Sequence, residues 1–148
     1  MKFKRILLAE DNLDDIELTL RVLAEYHLAN QVDVVRDGVD ALDYLFCRGR
    51  FASRRSGNPV LLLLDNKMPR LDGLEVVRQV KTDERLKTIP VVMLTSSHEQ
   101  GDLFKSYELG VNAYVIKPVK FYDFVNAVRE LGSFWGIFNE PPPPQSPS

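Results

Sequence analysis

Four apolar runs in this 148-residue sequence end in side chains that could do chemistry on phosphate. Two runs end in carboxylates, one ends in a hydroxyl and one ends in an ammonium. The runs and their end residues are 6–9 with Glu10 and Asp11, 60–64 with Asp65, 91–94 with Thr95, and 114–116 with Lys117. If the runs are parallel strands, their carboxyl ends meet at one edge of the sheet, where ligands bind in open α/β folds. The spacing therefore predicts one site built from four distant segments.

This set of groups suits metal-dependent phosphoryl transfer. Carboxylates that converge repel one another, and a cation or shifted pKa values must relieve that repulsion. Oxygen-only ligands with open positions suit Mg²⁺, which often shares its shell with phosphate. The Lys117 ammonium and the Thr95 hydroxyl can hold phosphoryl oxygens, and the Asp65 carboxylate can carry the phosphoryl group. Each residue alone is also explained as a helix cap or a solvated charge, but their joint occurrence favours a site.

Apolar periodicity divides the chain into alternating strands and helices. Strand-like runs cover 3–9, 31–35, 60–64, 91–94 and 113–116, and helical spacing covers 13–23, 39–46, 74–80, 99–109 and 121–131. Such βαβ connections are right-handed and give a parallel sheet with helices on both faces. The pattern leaves the strand order open, and the order 2-1-3-4-5, one of two common solutions, would bring the four strand ends together. On the first helix, the stripe expected to face the sheet is Leu13, Ile16, Leu20 and Leu23.

Composition restricts the class of protein. The formal net charge of −2 gives no basic footprint for nucleic acid. No segment approaches the roughly 20 apolar residues of a membrane span, so we expect a soluble cytoplasmic protein. The single cysteine, Cys47, suits a reducing compartment and is expected to be buried on a helix. We expect one domain over 1–138 and a disordered Pro-rich tail over 139–148.

Over about residues 3–135 the sequence resembles the response-regulator receiver domain of two-component signalling. The motifs that carry the resemblance are Glu10-Asp11, Asp65 with Met68-Pro69 and Asp72-Gly73, Thr95-Ser96, and Lys117-Pro118. The resemblance implies an α/β fold with a five-stranded parallel sheet of flavodoxin-like order 2-1-3-4-5 and five helices on both faces. It also implies that Asp65 is a Mg²⁺-dependent phosphoacceptor.

The resemblance assigns roles to the surrounding residues as well. Asp11 would bind Mg²⁺ directly, Glu10 would bind it through water, and the backbone carbonyl of Lys67 would be the third protein ligand. Thr95 and Lys117 would hold the phosphoryl oxygens. Tyr114 falls at the position of the switch aromatic, which turns inward as Thr95 moves. The alternative interpretation of Tyr114 is an ordinary half-buried strand aromatic, which is compatible with that role.

Finer features are similar to the single-domain regulators of bacterial and cyanobacterial phytochrome histidine kinases. They are the segments 37–45 and 106–112, the arginine-bearing loop 48–58, and Phe134-Trp135. This similarity implies a sensor histidine kinase as partner, in particular a phytochrome, and a homodimer through the last strand and helices. Phe121, Tyr122 and Phe124 are expected to supply aromatic surface for the contact. The alternative interpretation is an ordinary core helix, since Phe121 and Phe124 also belong to the apolar stripe of the last helix.

The expected function is that of a stand-alone response regulator, which is a signalling phosphoacceptor rather than a conventional enzyme. It would take a phosphoryl group from the kinase onto Asp65, hydrolyse it slowly, and signal through protein contacts or phosphorelay. The readout face would be 103–109, Tyr114 and 121–124. Lys67 stands where many relatives carry Asn or Glu, which leaves the lifetime of the phosphoryl group open.

Three alternatives belong to other classes. A small-molecule phosphatase of the haloacid dehalogenase type would need a second acid at the position of Lys67 and a substrate cap. A flavodoxin-like binder of flavin or nucleotide would need a Gly/Ser/Thr-rich phosphate loop after the first strand, where Glu10 and Asp11 have the wrong charge. A receiver-like module that signals by binding alone would not need the complete acceptor set.

Overall fold

The computed structural model describes residues 5–55, 57–96 and 100–131, without the side chains of residues 30 and 100–104. Five strands alternate with five helices along this part of the chain. The strands are β1 Ile6–Ala9, β2 Val32–Val35, β3 Leu61–Asp65, β4 Val91–Thr95 and β5 Ala113–Ile116. The helices are α1 Leu13–Ala24, α2 Gly38–Leu45, α3 Gly73–Thr82, α4 Gln100–Leu109 and α5 Phe121–Glu130.

The strands form one parallel sheet in the order β2-β1-β3-β4-β5, which confirms the predicted flavodoxin-like topology. Strand β3 lies at the centre, and its leucines are buried on both faces because helices cover both sides of the sheet. Leu61 and Leu63 pack against the layer that includes α1 and α5, whereas Leu62 and Leu64 pack against α2 and α3. The register pairs Ala9 with Leu64, so β1 and β3 end at the same edge.

Three helices begin at this edge with the same kind of cap. The side chains of Asn12, Asp37 and Asp72 each accept a hydrogen bond from the backbone N–H three residues later. Such caps satisfy otherwise unpaired N–H groups in the first helical turn. The capping residues therefore fix where α1, α2 and α3 start relative to the strand ends.

The predicted stripe of α1 is wrong at Leu13, which is 67% exposed. The buried residues of this helix are Thr19, Val22 and Leu23. Val22 lies nine positions after Leu13, and at about 100° per residue the two side chains point in opposite directions. The stripe 19, 22 and 23 faces the sheet, and Leu13 therefore faces away from it.

Two further predictions about buried and exposed side chains are corrected. Cys47 is exposed, because it follows α2 in a turn with φ of 53° rather than lying on the buried helix face. Phe124 is fully buried in the core and supplies no surface, while Tyr122 is 52% exposed. Phe121 is half-buried and stacks on Tyr26, with ring centroids 5.5 Å apart.

Several boundaries also differ from the predictions. Asp65 and Thr95 are the last residues of β3 and β4 instead of the residues after them. The arginine-bearing loop contains a short 3-10 helix over Gly49–Phe51. Predictions for Glu99, Phe134-Trp135 and the Pro-rich tail lie outside the described residues.

None of the helices within 5–55, 57–96 and 100–131 has both the length and the apolar character that a membrane span requires.

Candidate functional site

Three carboxylates meet at the carboxyl edge of the sheet, at the ends of β1 and β3. Glu10, Asp11 and Asp65 each offer an oxygen, and these oxygens lie within 4.8 Å of one another. Glu10 is held in place because its backbone N–H donates to the Val35 carbonyl at 3.0 Å. Glu10 is fully buried, Asp65 is 3% exposed and Asp11 is half-buried. Oxygen donors packed this closely fit a hard divalent cation such as Mg²⁺.

Lys117, directly after β5, brings an ammonium group to the same cluster. Its Nζ lies 3.0 Å from Asp65 Oδ1, 3.2 Å from Glu10 Oε1 and 3.1 Å from Asp15 Oδ2. The Lys117 side chain is only 18% exposed. Glu10 and Asp65, which lie 107 and 52 positions before Lys117 in the sequence, thus share its ammonium group with Asp15. The sheet order explains the meeting, because it sets β1, β3, β4 and β5 side by side.

Asp15 is a site residue that the sequence analysis missed. It lies in the first turn of α1, where its backbone N–H donates to Asn12 Oδ1 at 3.0 Å. Asn12 is itself tied to the cluster, since its backbone N–H donates to Glu10 Oε2 at 3.2 Å. The Asp14-Asp15 pair, which follows the capping residue Asn12, indicates that an acid lies near the strand ends. The pattern does not tell which of the two acids faces the strand ends.

Burial and charge shift the ionisation of these groups. Desolvation by burial, followed by the hydrogen bond and the charge of Asp65, raises the pKa of Glu10 to about 8. Burial also raises the pKa of Asp65, although hydrogen bonds from neighbours including Lys117 oppose that shift. Burial disfavours the Lys117 ammonium, but its contacts with Asp65 outweigh burial and raise the pKa of Lys117. In the metal-free protein, the Lys117 ammonium and the hydrogen bond between Glu10 and Asp65 therefore both relieve the repulsion between these acids.

The other predicted site residues lie around this centre. Thr95 is fully buried at the end of β4, where the register of the sheet pairs it with Ile116, the residue before Lys117. The backbone of Lys67 hydrogen-bonds to the Asp65 carboxyl group, while the Lys67 side chain is exposed. Tyr114 on β5 is half-buried and meets Tyr107 edge to face, with ring centroids 5.4 Å apart.

A close backbone approach fixes the loop between β3 and α3. The Gly73 N–H donates to the Asn66 carbonyl at 2.9 Å. A Cβ atom at position 73 would lie 2.5 Å from the carbonyl oxygen of Asp65 and 3.0 Å from the Cα of Asn66. Only glycine fits there, so Gly73 lets helix α3 pack directly against the residue that ends β3.

The profile of the response regulator receiver domain matches residues 6–129. A parallel 2-1-3-4-5 sheet with clustered acids and a lysine at its carboxyl edge agrees with that match. The chain therefore belongs to the response regulator receiver domain family.

Curated relatives are similar over most of their length. The chain is 41% identical to the probable methanogenesis regulatory protein FilR2 of Methanothrix harundinacea, over 94% of this chain and 88% of that protein. It is 39% identical to the response regulator Rcp1 of Synechocystis sp., over 89% of this chain and 88% of that protein.

Solved structures place it near phytochrome response regulators in particular. The bacteriophytochrome response regulator RtBRR is 57% identical, with a TM-score of 0.84 over 97% of this chain and 86% of that one. The manganese-bound form of Rcp1 is 37% identical, with a TM-score of 0.74 over 95% of this chain and 99% of that one. A phosphorylated cyanobacterial phytochrome response regulator, RcpA, gives the same identity, TM-score and coverage.

Proposed function

We propose that this chain is a stand-alone response regulator that accepts a phosphoryl group on Asp65 from a phosphohistidine of a sensor histidine kinase. The observation that carries the proposal is the position of the Lys117 ammonium, 3.0 Å from Asp65 Oδ1 and beside three clustered carboxylates. A preorganised cation at the acceptor oxygen can stabilise charge on a phosphoryl group that is transferred to it.

The proposed transfer is a displacement at phosphorus. A carboxylate oxygen of Asp65 forms a bond to phosphorus, and the phosphorus–nitrogen bond of the donor breaks. The electron pair of that bond stays with the imidazole nitrogen, which takes up a proton from solvent. The product is an aspartyl phosphate, and water later hydrolyses it to inorganic phosphate and the free carboxylate. The chain thus assists its own phosphorylation and slow dephosphorylation, and it turns over no separate metabolite.

Magnesium is the metal we propose for the site. Asp11 and Asp65 would bind it directly, Glu10 through water, and Lys67 through its backbone carbonyl. The all-oxygen donor set and the manganese in the Rcp1 structure support this assignment. When bound, the metal would supply neutralisation of the phosphoryl oxygens.

The signalling step we propose is a shift in population between two conformations. Phosphorylation replaces the single carboxylate charge of Asp65 with about 1.5 to 2 negative charges on the phosphoryl group at neutral pH, and Thr95 and Lys117 would hold the added oxygens. Movement of Thr95 would let Tyr114 turn inward. Tyr114 starts half-buried against Tyr107, and its movement would change the surface around Tyr107, which is 51% exposed. A ligand or charge that contacts the two states differently shifts their equilibrium.

The partners we propose follow from the relatives. RtBRR and RcpA are both described as response regulators of phytochromes, so the proposed kinase is a phytochrome. The proposed readout face, shared with a homodimer, consists of 103–109, Tyr114 and 121–123, without the buried Phe124 and together with the exposed Ile116 of β5. A surface pocket of about 340 Å³ lies on it, between Tyr107, Ile116 and α5. The proposal includes a cytoplasmic location and a single domain over 1–138, and the predicted tail over 139–148 lies outside the described residues.

The experiment that tests the acceptor role is intact-mass measurement after exposure to acetyl phosphate or phosphoramidate with Mg²⁺. We expect one phosphoryl adduct on the wild-type chain and none on Asp65→Asn. EDTA should suppress the adduct, and Mg²⁺ in excess should restore it. Labelling of Asp65→Asn, or no labelling of the wild type, would refute the proposal. The same assay with an autophosphorylated phytochrome kinase tests the proposed partner.

A phosphatase acting on small molecules is the weaker proposal. The residue two positions after Asp65 is Lys67, whose exposed side chain offers no carboxylate for acid catalysis. Release of phosphate from p-nitrophenyl phosphate by the wild type but not by Asp65→Asn would favour it.

A further inference from the structure

Three carboxylates surround the Lys117 ammonium, and Asp15 differs from the other two. Glu10 and Asp65 belong to the acidic cluster that could hold a metal, whereas Asp15 is outside that cluster. Asp15 Oδ2 nevertheless lies 3.1 Å from Lys117 Nζ, as close as the oxygens of Glu10 and Asp65. An ammonium has three N–H donors, so each donor of Lys117 has its own carboxylate.

We propose that Asp15 is a positioning residue that anchors the Lys117 ammonium beside Asp65 during phosphorylation. The proposal rests on the proposed acceptor role of Asp65. Asp15 would contact neither the phosphoryl group nor the metal, and would act only through Lys117. The role is not that of a helix cap, because Asn12 already caps α1.

The position of Asp15 is fixed by its surroundings. The Asn12 side chain accepts from the Asp15 N–H at 3.0 Å, and the Asn12 N–H donates to Glu10 at 3.2 Å. The start of α1 is therefore tied to the end of β1 through two hydrogen bonds. The Asp15 and Lys117 side chains are 22% and 18% exposed, so solvent weakens their ion pair less than it weakens a surface pair.

The metal and the phosphoryl group would both engage the other two carboxylates that contact Lys117. This leaves Asp15 as the contact that neither of them takes up. Glu10 and Asp65 are proposed metal ligands, so in the metal-loaded protein their oxygens are shared with the cation. Asp65 also changes from a carboxylate to an acyl phosphate when it is phosphorylated, and its own carboxylate charge toward Lys117 is then lost. Asp15 lies outside the acidic cluster and is not itself phosphorylated, so it is the partner that can hold the long Lys117 side chain in place throughout.

The neighbouring Asp14 provides a matched control. Asp14 and Asp15 both lie in the first turn of α1, and both carry one negative charge near its N-terminus. Asp14 is exposed, whereas Asp15 is half-buried against Lys117. Substitution of either residue by Asn changes net charge and helix-end electrostatics alike. A difference between the two variants therefore reports the contact with Lys117.

The first measurement uses the metal-free protein and a double-mutant cycle on the free energy of unfolding. Asp15→Asn and Lys117→Ala are expected to be non-additive, and Asp14→Asn and Lys117→Ala to be additive. Lys117→Gln replaces Lys117→Ala if the alanine variant does not fold. The proposal would be overturned if the effects of Asp15→Asn on the free energy of unfolding were additive with those of both Lys117 variants.

The second measurement is the rate of adduct formation with phosphoramidate at saturating Mg²⁺. We expect Asp15→Asn to slow the reaction on the order of tenfold, Asp14→Asn to leave it unchanged, and Asp15→Glu to recover part of it. The Mg²⁺ dissociation constant should change equally in Asp14→Asn and Asp15→Asn.

Two results separate failure of this inference from failure of the acceptor role. Equal rates for Asp14→Asn and Asp15→Asn, with normal labelling of the wild type at Asp65, would overturn the inference alone. A wild type without any label would overturn the acceptor role on which the inference depends. Slowing by Asp15→Asn that persists undiminished in the Lys117→Ala background would also overturn the inference, because Asp15 would then act through another group.

Discussion

The backbone N–H of Lys117 donates a hydrogen bond to the carbonyl of Thr95 at 2.7 Å. Thr95 ends β4 and Lys117 follows β5, so this bond extends the pairing of the two strands beyond Ile116. The two side chains proposed to hold phosphoryl oxygens are thereby fixed to one another through the backbone. Their spacing depends on the sheet and does not depend on a flexible loop.

We expect Thr95→Ala to slow phosphorylation while leaving metal binding intact. The hydroxyl is a proposed donor to the phosphoryl group, and Thr95 is not among the clustered carboxylates. Loss of one such donor should reduce the rate on the order of tenfold or more. Thr95→Ser, which keeps the hydroxyl, should retain most of the rate. Intact-mass time courses and Mg²⁺ titrations check both statements, and a large loss of Mg²⁺ affinity in Thr95→Ala would contradict them.

Gly73→Ala should destabilise the fold and slow phosphorylation together. Its Cβ would lie 2.5 Å from the Asp65 carbonyl oxygen, so the backbone that carries Asp65 must shift. Forced shifts of this kind cost about 1–3 kcal/mol. The control is Gly57→Ala: Gly57 has a positive φ of 78°, but among the described residues nothing lies within 4 Å of where its Cβ would be. Denaturant unfolding and labelling rates should separate the two, and equal labelling rates would count against the close approach.

Acid should remove the stabilising contribution of Asp33. Its carboxylate pairs with Arg5, at 2.6 Å from Nη2, and accepts a hydrogen bond from the Tyr44 hydroxyl. Although burial opposes ionisation of Asp33, the hydrogen bonds from Arg5 and Tyr44 outweigh burial and lower its pKa. A lowered folded pKa stabilises the native state above the unfolded pKa of about 4, and the gain is lost as pH falls through the folded pKa.

The Asp33→Asn variant tests this dependence. Its free energy of unfolding should be about 1 kcal/mol lower than that of the wild type at neutral pH, a modest value because a partly exposed ion pair is screened by solvent. This difference in the free energy of unfolding should stay constant from pH 7 to about 5 and shrink below about 4. Glu17→Gln, which removes an exposed ion pair with Arg21, is the control and should cost little at any pH. A difference that grows in acid would have the wrong sign for this mechanism.

Ile116→Glu should disrupt the proposed homodimer without unfolding the chain. Ile116 is 45% exposed on β5 and lies beside the pocket of the proposed readout face. A charge at the centre of an apolar contact opposes association. Leu13→Glu is the control, because Leu13 is 67% exposed on α1, outside that face. Analytical ultracentrifugation over a range of concentrations, before and after phosphorylation, measures the effect. A wild type that is monomeric under every condition, or an undisturbed Ile116→Glu dimer, would contradict the prediction.

The strands, the helices and the types of side chain at their ends can be derived from the amino-acid sequence. Apolar runs of three to five residues separated by helical spacing give a parallel sheet, because strands buried on both faces cannot carry polar residues except at their ends. Glu10, Asp11, Asp65 and Lys117 therefore stand out in the sequence alone. The strand order needed the resemblance to a family, since local patterns do not encode which strands are neighbours.

In contrast, the side of each helix that faces the sheet and the acids that reach Lys117 depend on the packing of the folded chain. The sequence offers Asp14 and Asp15 equally, and packing of Thr19, Val22 and Leu23 rotates α1 so that Asp15 points to the site and Leu13 to solvent. Likewise it decided between a core and a surface position for Phe124 in favour of the core, and it placed Cys47 on the surface. Adjacent helical residues differ by about 100° in direction, so a small rotation, fixed by contacts far apart in sequence, determines which residue joins the site.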